Sequence, residues 1–233
     1  MIKLVNVNKK IGNECILKNV NISFNAGNIY ALIGPNGAGK TTIISVLSKL
    51  MEPDTGELIY ENENKNVYLL LSGERNLYYK ITVKENIYYF GIIRGLSKKQ
   101  IKNNIDTYKV KYEIEKLFNK KVETLSYGQK RIVATFIAMV CGSKCIILDE
   151  VTEGLDVESK AILSKMLLEV KKDKIVILVS HDLEFIETCA DFNVFIKDGT
   201  IITVSEKADD LKTLYSQYMQ SKGGYNEVSK GNS

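Results

Sequence analysis

The chain has 233 residues, 45% of them hydrophobic and 26% charged, with a net charge of +4. That is enough apolar material for a substantial core, and so slight a charge gives no argument for a nucleic-acid partner. No apolar run approaches the ~18 residues of a membrane span, and the start, MIKLVNVNKK, lacks the long apolar stretch of a signal peptide. The four cysteines (Cys15, Cys141, Cys145 and Cys189) show no CxxC pairing. They are expected as free thiols in a reducing cytosol.

Short strands are expected at IKLVNV (2–7), ILKNVNISF (16–24) and NIYALI (28–33). The last runs into a glycine-rich loop and a helical pattern, TTIISVLSKLM (41–51). A turn at Pro53-Asp54-Thr55-Gly56 precedes two further strand candidates, ELIYE (57–61) and NVYLLL (66–71). From Thr82 the periodicity becomes helical. Thr82 with Glu85, and Ser97 with Gln100, have the spacing of capping boxes, so residues 83–140 read as a helical insertion. Two strands of buried type follow, CIILD (145–149) and KIVILVS (174–180). The helix between them carries Ile162, Leu163, Met166, Leu167 and Val170 on one face. This order predicts an α/β fold with a parallel sheet covered on both faces. The final SKGGYNEVSKGNS, polar and glycine-rich, reads as a disordered tail.

Three segments carry chemistry. Gly34-Pro35-Asn36-Gly37-Ala38-Gly39-Lys40-Thr41-Thr42 fits the P-loop pattern between a strand and a helix. Its glycines let backbone N–H groups close around phosphate oxygens, and the helix N-terminus adds partial positive charge. Lys40 would reach the β- and γ-phosphates and the Thr41 hydroxyl would ligate Mg²⁺, so a nucleoside triphosphate with Mg²⁺ is the expected ligand. CIILDE ends in adjacent carboxylates. Asp149 is placed for the Mg²⁺ side, and Glu150 for polarising an attacking water as general base. In LSYGQ, Ser126 and Gln129 form a capping box that opens another helix. Its N-terminus is a second anion site. One bound nucleotide cannot easily use both, whereas two chains packed head to tail could.

With GPNGAGKTT, LSYGQ, IILDE, EGLD and VSH in this order, the chain resembles the ATP-binding subunit of ABC transporters over residues 1–205. The resemblance implies a P-loop NTPase core with a parallel sheet, a small antiparallel β-subdomain and an inserted helical subdomain at about 83–140. Residues 206–233 would then form a C-terminal helix and the tail. It implies a sandwich dimer, of like or unlike ATPase subunits, with ATP at the interface. Ser126, Gly128, Gln129 and Asp156 would face the partner's nucleotide. The expected partner is an integral membrane permease encoded separately, which places the subunit on the cytoplasmic face of the membrane. A bacterial exporter is the expected class, and a soluble ABC-type ATPase, ribosome-associated or serving as an assembly scaffold, is the rival. A single histidine alone is more often structural than catalytic. Here His181 falls where the family has its switch histidine, which contacts the γ-phosphate beside Glu150. Four positions depart from the family pattern. Ile11 stands where an aromatic usually stacks on adenine, and Gly73 where a coupling glutamine is usual, with Glu74 as a partial substitute. Tyr127 replaces a glycine, and Val151 a proline.

Overall fold

The computed structural model describes residues 1–61, 67–73, 76–109 and 111–220. Glu74 and the expected tail from Ser221 onward lie outside the described residues. Strands β1 (Ile2–Ile11), β2 (Glu14–Phe24) and, after β3, β4 (Thr55–Tyr60) form a three-stranded antiparallel sheet in the order β2-β1-β4. The first two strands are longer than the expected segments, at 10 and 11 residues. Register shifts at Leu4/Val7, Val7/Lys9 and Lys9/Lys10 explain why simple alternation fails to delimit them. Thr55 and Gly56, read as turn residues, belong to β4. Asp54 bonds back to Lys9 Nζ at 2.6 Å and to the Lys10 amide at 2.7 Å.

The second sheet has the order β5-β6-β7-β3-β8-β9, with β3 Ile29–Ile33, β5 Val67–Leu70, β6 Cys145–Asp149, β7 Ile175–Val179, β8 Phe192–Lys197 and β9 Thr200–Glu206. Five strands are parallel, and β9 runs antiparallel to β8 at the edge. The sheet is therefore mixed, where a parallel one was expected. The hairpin behind this difference turns at Asp198 and Gly199, both at positive φ (50° and 80°), the geometry of a two-residue turn matched to strand twist.

Both sheet faces are covered, and the β6 residues show how. Ile146 and Leu148 enter one core with α4 (Tyr127–Val140) and α5 (Val157–Val170), while Cys145 and Ile147 enter the other with α1 (Lys40–Leu47) and the antiparallel sheet. Alternate side chains point to opposite faces of a strand, so an unbroken apolar run serves two cores. The helical insertion contains α2 (Val83–Ile93), α3 (Lys98–Tyr108) and two 3₁₀ turns before α4. Its three α-helices each begin with a complete capping box, as the spacing of Thr82, Ser97 and Ser126 predicts. Helix α1 stops at Leu47, short of the expected Met51. The Ser48 hydroxyl donates to the Ile44 carbonyl there, and Lys49 turns to positive φ. Helices α6 (Leu183–Cys189) and α7 (Leu211–Gln220) complete the fold. All four cysteines are free, three of them buried and Cys15 half-buried.

Candidate functional site: a nucleotide cleft at the strand ends

Strands β6, β7 and β3 are neighbours and parallel, so the loops leaving their carboxyl ends converge, as ligand-binding loops do in open α/β sheets. They enclose a cleft of about 510 Å³. It is lined by Ile11, Asn36, Gly37, Ala38, Gly39, Lys40, Thr41, Thr42, Asp149, Glu150 and His181. Gly34 and Pro35 lie at its base, where Lys40 Nζ donates to their carbonyl oxygens at 2.6 and 3.0 Å. Eleven residues separated by up to 170 positions in sequence thus share one cavity. Glu14, Ile16, Ser72 and Val179 line it too. Val179 belongs to the VSH segment, whereas Glu14, Ile16 and Ser72 carry no motif and escape sequence reading; only the pairing of Glu14 with Ile11 across the β1–β2 turn would have drawn attention to the first.

The P-loop is shaped by close backbone approach. A Cβ on Gly34 would stand 2.1 Å from the Ile196 carbonyl oxygen, so no side chain fits. Gly39 has φ of 103° and leads into α1 with no side-chain cap. The amides of the first turn of α1 therefore keep their donors for an anion. The hairpin β8–β9 braces this loop, with the Gly199 amide donating to the Ala38 carbonyl at 3.2 Å.

Burial lowers the pKa of Lys40, against the pull of Glu150 and Asp149. Burial raises that of Asp149, against Lys40 and Arg131. The two groups neutralise each other across a site that is deep enough to cost both. Glu150 adopts φ of 46°, a left-handed backbone worth about 1–2 kcal/mol of strain for a residue with a Cβ. Its Oε1 lies 3.3 Å from His181 Nε2. The next turn is tied to the histidine segment by Thr152 Oγ1 and Ser180 Oγ, 2.5 Å apart. Among the described residues no cluster of three or more His, Cys, Asp or Glu could hold a metal by itself. The oxygen donors of Thr41 and Asp149 share the cleft, and that set suits a hard cation that completes its shell with phosphate and water.

Ser126, Gly128, Gln129 and Asp156 do not line the cleft. Ser126 Oγ accepts from the Gln129 amide at 3.2 Å, and Gln129 Oε1 accepts from the Ser126 amide at 3.2 Å. A Cβ on Gly128 would lie 2.5 Å from Ser159 Oγ, so packing of α4 on α5 already asks for glycine there. Asp156 caps α5 through the Ser159 amide at 2.7 Å. Tyr127 lies against Gly154, where an added Cβ would come within 3.2 Å of its ring.

The chain matches the family described as ABC transporter over residues 17–153. It is 32% identical to an uncharacterized ABC transporter ATP-binding protein of Methanocaldococcus jannaschii, covering 94% of this chain and 82% of that one. It is 31% identical to a lantibiotic transport ATP-binding protein of Streptococcus pyogenes, over 93% of this chain and 96% of the relative. A solved ATP-binding cassette, dimeric and bound to ADP and Pi in a post-hydrolysis state, superposes with a TM-score of 0.73 at 25% identity, over 89% of this chain and 99% of that one. With its family match spanning more than half of the sequence, and its P-loop, carboxylates and histidine around one cleft, the chain belongs to the ABC transporter family, as an ATP-binding and ATP-hydrolysing subunit.

Proposed function

We propose that this subunit drives a separately encoded integral membrane permease as an exporter, working as a head-to-tail dimer on the cytoplasmic face of the membrane. One observation carries the dimer. The P-loop residues line the cleft with Asp149, Glu150 and His181, whereas Ser126, Gly128, Gln129 and Asp156 stand outside it. A second subunit would bring its own copies of those four to the open side of the nucleotide. The export direction is supported by the sequence Gly73-Glu74-Arg75-Asn76-Leu77-Tyr78, which resembles a variant found among bacterial ABC-2-type exporters; the relative named for lantibiotic transport is compatible with it. No helix of the described residues is long and apolar enough to cross a membrane, so a membrane partner would have to supply the translocation path.

In this reading Lys40 leaves the Gly34 and Pro35 carbonyls for the β- and γ-phosphates, and the P-loop amides cradle them. Thr41 and Asp149 would hold Mg²⁺, which supplies neutralisation of charge on the phosphate oxygens. Glu150 accepts the proton of the attacking water, and His181, whose Nε2 lies 3.3 Å from Glu150 Oε1, orients toward the γ-phosphate. Ile11 offers an apolar face to the base. The strained backbone of Glu150 aims its carboxylate across the cleft, and strain of this kind gathers at functional sites.

The test is Glu150→Gln. It should keep ATP binding, lose turnover and elute as a dimer with two nucleotides in size-exclusion chromatography with ATP. A protein that stays monomeric at saturating ATP, or turns over at the wild-type rate, overturns the proposal. Detergent extracts of native membranes test the permease: the tagged variant with ATP should carry a polytopic protein, and exclusive recovery in the soluble fraction counts against it.

A further inference from the structure

Arg131 is buried, at 5% exposure, in the second turn of α4. Its surroundings are backbone. Nη1 donates to the Leu71 carbonyl at 2.9 Å and Nη2 to the Glu150 carbonyl at 3.3 Å. Nε, also buried, has no hydrogen-bond partner. Among the described residues no carboxylate forms an ion pair with it within 4 Å. A guanidinium so placed is costly, since its desolvation is offset by two neutral acceptors, the Tyr127 ring and a longer-range attraction to Asp149 rather than by a contacting carboxylate. An aliphatic residue would pack this position at less cost, which calls for another account of the charge.

The two carbonyls provide one. Leu71 follows β5, and its carbonyl also accepts from Asn76 Nδ2 at 2.8 Å; Ser72, next in sequence, lines the nucleotide cleft. Glu150 follows β6, the neighbour of β5, and is held at φ 46°. Left to itself a residue with a Cβ leaves that region readily, and the two acceptor bonds at its carbonyl, from Arg131 and from the Glu153 amide at 3.3 Å, oppose the change. Arg131 also sits five residues beyond Ser126, on the same rigid helix. Its guanidinium carbon is 5.7 Å from the centre of the Tyr127 ring.

We propose that Arg131 is a positioning residue for hydrolysis, which clamps the exits of β5 and β6 to helix α4 and thereby holds Glu150 in its left-handed conformation. The inference rests on the reading of Glu150 as the group that accepts the water proton. It adds that displacement of α4, which carries the LSYGQ segment, is felt at Glu150 through one side chain within the same subunit.

Arg131→Met and Arg131→Lys test this, each alone and combined with Glu150→Gln, by single-turnover hydrolysis and ATP affinity. Arg131→Met should lower the rate roughly 10- to 100-fold, the scale on which a misplaced catalytic group acts, with ATP affinity changed less than about threefold. In the Glu150→Gln background it should lower the residual rate by less than about twofold, because the group it positions is already gone. Arg131→Lys, which keeps the charge and a donor, should fold even if the Met variant does not and recover part of the rate. Equal losses in both backgrounds, an unchanged rate in Arg131→Met, or parallel losses of rate and ATP affinity in Arg131→Lys would overturn the inference. Wild-type turnover by Glu150→Gln alone would instead remove the reading it rests on.

Discussion

Two helix N-termini in this molecule are built in opposite ways. Helix α1 follows Gly39 with no side-chain cap, whereas α4 follows Ser126 with a closed capping box. The first leaves backbone donors open toward a cleft already lined with Lys40 and Thr41. The second satisfies two of its donors from its own Ser126 and Gln129. An uncapped end is an unsatisfied one until an anion arrives; a capped end is stable alone and must rearrange its side chains to bind. The difference teaches that the open donors of a single subunit are at α1, and that α4, if it serves a partner's nucleotide as proposed, does so at the expense of its own cap.

Substitutions at each end can break or sharpen this contrast. The largest effect is expected near α1: His181→Ala should depress kcat by roughly 10²–10³-fold with little change in ATP affinity. A lower melting temperature with kcat per folded molecule preserved would make His181 structural. Ile11→Tyr should tighten ATP by up to ~1–3 kcal/mol through base stacking, measured by calorimetric titration. Unchanged affinity would place the base away from Ile11. At the other end, Ser126→Ala should cost about 1 kcal/mol of stability and leave ATP binding by the monomer intact. A loss of monomer affinity there would dissolve the contrast altogether.

The smallest effect probes the link between α5 and α6. Lys160 Nζ lies 2.5 Å from Asp182 Oδ2. Burial raises the Asp182 pKa, but hydrogen bonds from Lys160 and from the Phe185 amide outweigh it, leaving a value below the ordinary one. A depressed carboxylate stabilises the fold above its unfolded pKa and ceases to as pH falls through the folded one. Lys160→Met should therefore lose at most about 1 kcal/mol near neutral pH. Its melting temperature should converge on that of the wild type in acid; a gap persisting at pH 2 would assign the loss to packing of the lysine stem.

Much of this was legible in the sequence because the informative residues are adjacent in it. The P-loop, the β6 carboxylates and the capping boxes are each a few residues long, and each fixes its own local geometry. What escaped depends on distant neighbours. The β8–β9 hairpin has a local signal in Asp198-Gly199 between apolar strands, but its bracing of Gly34 and Ala38 has none. The burial of Arg131 is likewise set by tertiary packing. The following run Ile132–Val140, buried throughout, was the available clue, since a helix without a polar face must bury its neighbours too. The left-handed backbone of Glu150 is a tertiary outcome that no pattern of residue types announces.

The cysteines bear on how nucleotide binding could be followed. Burial pushes the thiols of Cys141 and Cys189 up to about 12 and that of Cys145 higher still, so none of the three offers a thiolate to a reagent at neutral pH. Cys15 is half-buried on β2, next to Glu14 at the edge of the cleft. The unaltered chain is thus addressable by a maleimide dye at one position, beside the Ile11 end of the cleft, where the base is proposed to lie. A fluorophore there would report nucleotide arrival and subunit closure without any engineered cysteine.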